Sequence, residues 1–332
     1  MRIFITGGSG FIGTTAVDHF LDRGWTVANY DRLPPKIEIQ RQYWTQGDIR
    51  DAPLLSAAMT AFRPDYVLNL AAVTGAEETE LPAEYFDTNT LGVESLIAAV
   101  KAVGTVKRTI YVSSLLVCRN GYIPNGDEDY CPPGPYGASK VEGEKIVRRM
   151  AADAGEWVIV RPTSVWGPWF EYSYRKFFQL VSRGFYIHIA GAKDLEKPIT
   201  FVGNAVYMFD KLLTAGSNTV SSRTFYFADY PETTVGNWAD TVQRRSGARK
   251  ILTLPLWSVR IAAHVGDALK KLGWKDPPLT SFRLGNLLSG GRYPVDNTRE
   301  VVGELPFSLE MGVDKTLIWM KDAGLVKKGP VG

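Results

Sequence analysis

Tyr136 and Lys140 stand four residues apart in Pro135-Tyr136-Gly137-Ala138-Ser139-Lys140. On a helix, residues at that spacing share one face. A free tyrosine titrates near about 10 and is a poor base at neutral pH. A neighbouring ammonium favours the phenolate, so Lys140 is expected to lower the proton affinity of Tyr136. Such a pair exchanges a proton with a hydroxyl or carbonyl while a hydride leaves or joins the same carbon. Tyr-x-x-x-Lys alone also fits an ordinary exposed helix pair. Ser113-Ser114 raises its weight, because both serines end an expected strand at 109–113. Ligands of open parallel sheets sit outside the carboxyl ends of the strands, where a serine hydroxyl binds the reacting oxygen.

A proton relay of this kind needs a hydride carrier, and the first residues supply a place for one. The run Thr6-Gly7-Gly8-Ser9-Gly10-Phe11-Ile12-Gly13 follows an apolar strand and opens a helix at Phe11 and Ile12. Gly7 suits a tight turn, Gly10 a close approach to a pyrophosphate, and Gly13 close packing of helix on strand. The helix N-terminus offers N–H groups and a positive dipole end to phosphates. Asp31 falls 18 residues after Gly13, at the end of the second expected strand. A carboxylate there accepts ribose hydroxyls and repels a 2′-phosphate, so NAD is expected rather than NADP, with Arg32 next door pulling the other way. Asp48, followed by Ile49, is read two ways: a contact for the adenine amino group, or the N-cap of the next helix.

These groups need a scaffold, and the first half of the chain has the pattern of one. Strands are expected at 2–6, 25–30, 43–46, 66–70, 109–113 and 157–161, and helices at 11–22, 52–62, 83–103 and 136–154. Alternation of short apolar runs with longer amphipathic ones predicts an α/β fold with a doubly wound parallel sheet. We expect a dinucleotide-binding domain over 1–165, a smaller and interleaved substrate-binding region over 166–326, and a loose tail over 327–332. Segment 225–228 is expected to return to the main sheet. The aromatic run 166–178, including Trp166, Trp169, Phe170, Tyr172, Tyr174, Phe177 and Phe178, reads as core or as the wall of a flat apolar pocket.

Composition narrows the alternatives. Hydrophobic residues make up 45% and charged residues 22% of 332, the balance of a globular protein with a full core. A net charge of +3, with no basic stripe, argues against a nucleic-acid partner. Cys118 and Cys131 are too few for a disulfide framework and suit a reducing, cytoplasmic setting. His19, His188 and His264 are scattered without ligand spacing, so no metal site is expected. No apolar run reaches a membrane span of about 18 residues. The chain opens directly on strand 2–6, so no signal peptide is expected.

The residues resemble the extended short-chain dehydrogenase/reductase superfamily, the NAD-dependent epimerase/dehydratase family. The resemblance rests on the glycine run, Asn69-Leu70-Ala71-Ala72, Asn89, Ser113-Ser114, Pro135 to Lys140, Arg161-Pro162-Thr163-Ser164-Val165-Trp166-Gly167-Pro168, and Thr200-Phe201-Val202-Gly203-Asn204-Ala205. It implies a Rossmann-type domain and a homodimer built from two helices per subunit. It makes Ser114 the catalytic hydroxyl, Tyr136 the acid/base, and Lys140 its activator and a ribose ligand. It places Pro162, Thr163 and Val165 near the nicotinamide, with Leu70, Ala71, Ala72 and Ser113 also along the cofactor. Asn89 is either a support of the site or a helix residue buried on the sheet. Related 4,6-dehydratases carry Asp-Glu after the catalytic hydroxyl, where this chain has Leu115-Leu116, which cannot protonate a leaving hydroxyl. Many nucleotide-sugar 4-epimerases have Phe-Asn in place of Thr163-Ser164, and that asparagine helps hold the pyrophosphate, so this departure counts against a nucleotide sugar without excluding one. The first reading is an epimerase or dehydrogenase acting on a nucleotide-diphosphate sugar, as the resemblance as a whole implies. A hydroxysteroid-like dehydrogenase is the alternative, supported by 200–205 and by Pro278-Leu279-Thr280. A non-enzymatic dinucleotide-sensing scaffold is the third reading; retention of both Tyr136 and Lys140 counts against it.

Overall fold

In the computed structural model, residues 1–74, 82–122, 124–170, 173–274, 277, 279–288, 291 and 293–326 are described. The expected tail 327–332, Tyr172 and Pro278 lie outside them. The first strand, β1 (Arg2–Thr6), divides its side chains between two cores. Ile3 and Ile5 join Ala16, Val17 and Phe20 of helix α1 (Phe11–Asp22). Phe4 joins Val67, Leu96 and Ile97 on the opposite face. That alternation is the period of a strand covered on both sides.

The elements around this sheet include β2 (Thr26–Asp31), β3 (Trp44–Gln46), α2 (Ala52–Phe62), β4 (Tyr66–Asn69), α3 (Leu91–Val103), β5 (Arg108–Val112), α4 (Pro135–Met150), β6 (Glu156–Pro162), α5 (Val202–Thr214) and β7 (Arg223–Phe227). The seven strands form one sheet in the order β7-β6-β5-β4-β1-β2-β3. Each neighbouring pair is parallel. The expected doubly wound α/β architecture is therefore the one observed. Strand order reverses between β1 and β4, the position where such sheets open a crevice for ligands.

Two expected helices differ from the structure. The single helix expected over 83–103 is a 3₁₀ segment, Ala83–Asn89, followed by α3. Thr90 breaks the path with φ −122° and ψ −75°. The Asn89 side chain explains the break: it accepts from Val73 N and donates to Val73 O, both at 2.9 Å, which ties the chain to the loop after β4. The helix expected over 136–154 ends at Met150 and tightens to 3₁₀ geometry over Ala151–Asp153. Pro135 at its first turn needs no N–H partner there.

By contacts the chain divides into two units. The first comprises Met1–Val165, Val202–Ala228 and Pro294–Pro306; the second comprises Trp166–Phe201, Asp229–Tyr293 and Phe307–Gly332. The second unit has a core of its own. Trp166, Phe170, Phe178 and Trp238 are buried, with Trp166 stacked on Phe178 at 5.6 Å between centroids and tilted against Trp238 at 5.4 Å. Gly312 lies so close to Trp166 and Phe201 that a Cβ there would sit 2.9 Å from each ring. The buried rings of the aromatic run thus pack as core.

Candidate active site

All the elements that carry the expected chemistry belong to the first unit. The β1–α1 loop is built by close approach. Gly7 has φ +72°, and a Cβ on it would lie 2.6 Å from Ala71 N. This brings the loop against Leu70 and Ala71 at the end of β4, where Leu70 N also donates to Thr6 O at 3.0 Å. A Cβ on Gly13 would lie 2.2 Å from Gly7 O. No side chain caps the α1 N-terminus at Gly10. A turn with glycine at three of four positions, whose Ser9 hydroxyl is taken by Asn29 Nδ2 at 3.1 Å, leads to a helix end with Gly10 as its N-cap, the form required by a pyrophosphate. Gly13→Ala is expected to cost about 1–3 kcal/mol through backbone overlap. The loss will register as a lower melting temperature together with weaker NAD binding by calorimetric titration.

Asp31 ends β2 beside this loop. Its Oδ2 accepts from Ser9 N and its Oδ1 from Leu33 N, both at 3.0 Å. A carboxylate has about four acceptor positions, so capacity remains for ribose hydroxyls. Asp48 is clamped by Arg50, whose Nε and Nη2 donate at 3.0 and 2.7 Å, with Arg32 3.8 Å away. Hydrogen bonds from Arg50 hold the Asp48 carboxyl below its usual range, against burial. The N-cap of α2 is Asp51, whose side chain accepts from Leu54 N, so Asp48 is not that cap. Ile49 is buried, and a Cβ on Gly92 would press on its Cγ2, which gives Ile49 a packing role. Ile12 packs against the core shared by β1 and α1.

Ser114 and Tyr136 come together. The Ser114 hydroxyl accepts from Leu116 N at 3.1 Å and lies close enough to the Tyr136 phenol to favour its ionised form. The Tyr136 ring tilts against Phe86, with centroids 6.3 Å apart. Lys140 sits one helical turn on and is buried, its Nζ donating to Val112 O at 3.0 Å. Burial pushes the Tyr136 phenol above its ordinary value, and the neighbouring Ser114 hydroxyl pulls the other way. The expected depression by Lys140 therefore does not hold for the chain by itself: desolvation of the phenol dominates. Burial also pushes Lys140 down to about 8, against the pull of Glu144.

Ser113 and Asn89 serve the framework of this site. Ser113 Oγ donates to Glu144 Oε1 at 2.6 Å. Asn89 Nδ2 donates to Ser139 Oγ at 2.9 Å, so the loop after β4 and the first turn of α4 share one side chain. Pro162 ends β6, and Thr163 N donates to Phe227 O at 2.9 Å. Ala72 lies in the loop leaving β4, Val165 in the short strand Ser164–Trp166.

Sequence reasoning missed a buried group beneath the acid/base pair. Glu144, one turn beyond Lys140, accepts from Arg161 Nε at 2.9 Å and Nη2 at 2.7 Å, and from Tyr130 OH at 3.1 Å. Arg161 is fully buried and also donates to Tyr226 OH at 2.6 Å and to Asp127 O. Burial works against the guanidinium, but Glu144 and Tyr226 outweigh it and hold its proton more tightly than usual. Gly137 was also missed: a Cβ on it would sit 2.3 Å from Leu116 O, so α4 reaches the Ser114 turn because this residue is glycine. The spacing Lys140 to Glu144 on the inward face of α4 was the available signal.

A parallel sheet with this strand order, a glycine turn at the reversal and a Ser-Tyr-Lys group after β5 defines a dinucleotide-binding oxidoreductase fold. The chain matches the NAD dependent epimerase/dehydratase family over residues 3–226 and belongs to it. NAD is accordingly the cofactor, and the turn, the uncapped helix end and Asp31 fit it. Among similar proteins is the 3 beta-hydroxysteroid dehydrogenase/Delta 5-->4-isomerase of Mycobacterium tuberculosis, 31% identical over 63% of this chain and 59% of that one. The match thus spans less than two thirds of that relative's length. The N-acetyl-alpha-D-glucosaminyl-diphospho-ditrans,octacis-undecaprenol 4-epimerase of Escherichia coli O157:H7 is 24% identical over 95% of this chain and 94% of its own. The solved structure of UDP-glucose 4-epimerase from Thermotoga maritima superposes with a TM-score of 0.74 at 22% identity. It covers 97% of this chain and 99% of that chain.

Proposed function

We propose that the chain oxidises and reduces a secondary carbinol of a nucleotide-diphosphate sugar, as an epimerase or dehydrogenase, with Tyr136 as acid/base, Ser114 holding the reacting oxygen and Lys140 supporting both phenol and ribose. The observation that carries this reading is the nearness of the Ser114 hydroxyl to the Tyr136 phenol after β5, with Lys140 one turn away and its Nζ donating to Val112 O at 3.0 Å. Two neighbouring hydroxyls can hold one substrate oxygen between them, so the proton leaves as hydride moves. NAD, bound along Gly7, Gly10, Gly13 and Asp31, supplies the hydride acceptor. The E. coli epimerase, similar across almost the whole chain, supports a diphospho-sugar substrate. A hydroxysteroid substrate is the second reading, supported by the 31% identity to the mycobacterial enzyme. Purified protein assayed with a panel of nucleotide sugars and sterols separates the two. The first reading expects interconversion of a sugar epimer, or NADH formed from one; sterol turnover with no response to any nucleotide sugar would replace it with the second.

A further inference from the structure

The helix Leu256–Lys271 of the second unit presents its apolar residues in two directions. Val259, Ala263 and Gly266 face inward, and the first two form a small core with Leu284. A Cβ on Gly266 would overlap Leu279 O, so this face is tightly packed. The opposite face is also apolar. Trp257, Ile261 and Val265 follow at intervals of four, Leu272 comes one more heptad on, and each is more than half exposed. At about 100° per residue these four fall on one stripe. Trp274, just past the helix, is exposed to a similar degree. The preceding strand Leu252–Leu254 exposes Leu252, and Ile187 opposite it in register is exposed as well. Isolated exposed leucines are ordinary; a stripe bounded by two tryptophans is not.

Charge identifies the occupant. Residues 249–274 contain five cations, Arg249, Lys250, Arg260, Lys270 and Lys271, against one acid, Asp267. The helical positions of Arg260, His264 and Lys271 border the exposed stripe on one side. Asp267 accepts from Ser281 N at 3.1 Å, and so is engaged by the neighbouring helix. An apolar stripe fringed by cations, with tryptophan near both ends, has the composition of a helix lying in a lipid interface. A second copy would bring the same cations against themselves in a two-fold contact. Nucleic acid would leave the apolar centre without a partner. No helix among the described residues is long and apolar enough to cross a membrane, so a surface contact is the geometry available.

We propose that the outward face of Leu256–Lys271 docks on an anionic phospholipid surface, with Trp257, Ile261, Val265 and Leu272 inserted and Arg260 and Lys271 at the headgroups. The test is sedimentation of the full chain with vesicles of phosphatidylcholine alone or mixed with phosphatidylglycerol. The expected result is association with the mixed vesicles that weakens as salt is raised. The triple variant Trp257→Ser, Ile261→Ser, Leu272→Ser should partition about a hundredfold less strongly, with thermal unfolding and NAD binding unchanged. Arg260→Gln with Lys271→Gln should remove the preference for phosphatidylglycerol. Absence of wild-type association with either vesicle overturns the proposal, as does undiminished association of the triple variant. A wild-type dimer that the triple variant converts to monomer, without vesicle binding, would assign the face to a second copy instead.

Discussion

Tyr136→Phe will lower turnover by about 10²–10⁴-fold and leave NAD affinity nearly unchanged. The substitution removes one oxygen and keeps the ring against Phe86. The proton path loses its terminal group, whereas the glycine turn and Asp31 are untouched. Initial rates with the substrate found in the panel, set beside calorimetric titration of NAD, separate the two effects. Full turnover in the variant would remove Tyr136 from the proton path. Loss of NAD binding in step with rate would show that the phenol acts on the cofactor site instead. A tenfold effect or less would also count against the assignment, since water would then serve nearly as well.

Glu144→Gln will destabilise the fold by about 3–5 kcal/mol, the usual cost of leaving one member of a buried ion pair alone. The amide is nearly the same shape but turns an acceptor into a donor, and Arg161 Nη2 already donates to Glu144 Oε2 at 2.7 Å. Denaturant unfolding measures the loss. The double variant Glu144→Leu, Arg161→Met should recover part of it, because the Arg161 guanidinium is then no longer buried without its carboxylate. A second readout is pH. Lys140 titrates near about 8 in the fold and near about 10.4 in an unfolded chain. Below the folded value both states hold the proton and the burial cost is present in full. Between the two values the unfolded chain holds more protons, so the contribution of Lys140 to stability improves as pH rises. Glu144 resists the depression of Lys140. In Glu144→Gln the improvement should therefore begin at lower pH, and the alkaline limb of the rate profile should move the same way. A variant with reduced stability but an unmoved pH profile would confine Glu144 to packing.

The sheet and its crevice were legible because their signals are local. The glycines at 7, 10 and 13 follow a short apolar strand, and their backbone demands do not depend on distant residues. Ser114 and Tyr136 were legible as a pair because each sits at the end of an element whose period is plain. The Glu144–Arg161 pair was not, since a carboxylate and a guanidinium 17 residues apart read as surface charges until α4 folds against β6. The break at Thr90 was hidden for a similar reason: Asn89 leaves the helical path to bond Val73, and no local propensity records that contact. The proton affinity of Tyr136 was misjudged because the Tyr-x-x-x-Lys spacing reveals the neighbouring charge and conceals the burial. In the second unit, aromatic residues 166–178 offered two readings, and only packing against Trp238 shows the buried ones to be interior.

Cys118 and Cys131 meet in an isolated parallel bridge, with Cys131 N donating to Val117 O at 3.0 Å and Arg119 N to Cys131 O at 2.7 Å. This seam closes the excursion between them at its base. The spacing of Ser114 and Tyr136 is thus set below the seam, independent of how much chain lies above it. The excursion is itself tied down: Asp127 and Tyr130 reach Arg161 and Glu144, Tyr122 packs beside Tyr130 on Val117, Cys118 and Val141, and Asp129 O accepts from Cys118 Sγ. Such a layout couples the loop to the buried Glu144–Arg161 pair, so a change at its anchoring residues is felt beneath the proton-transfer group while one between them is not.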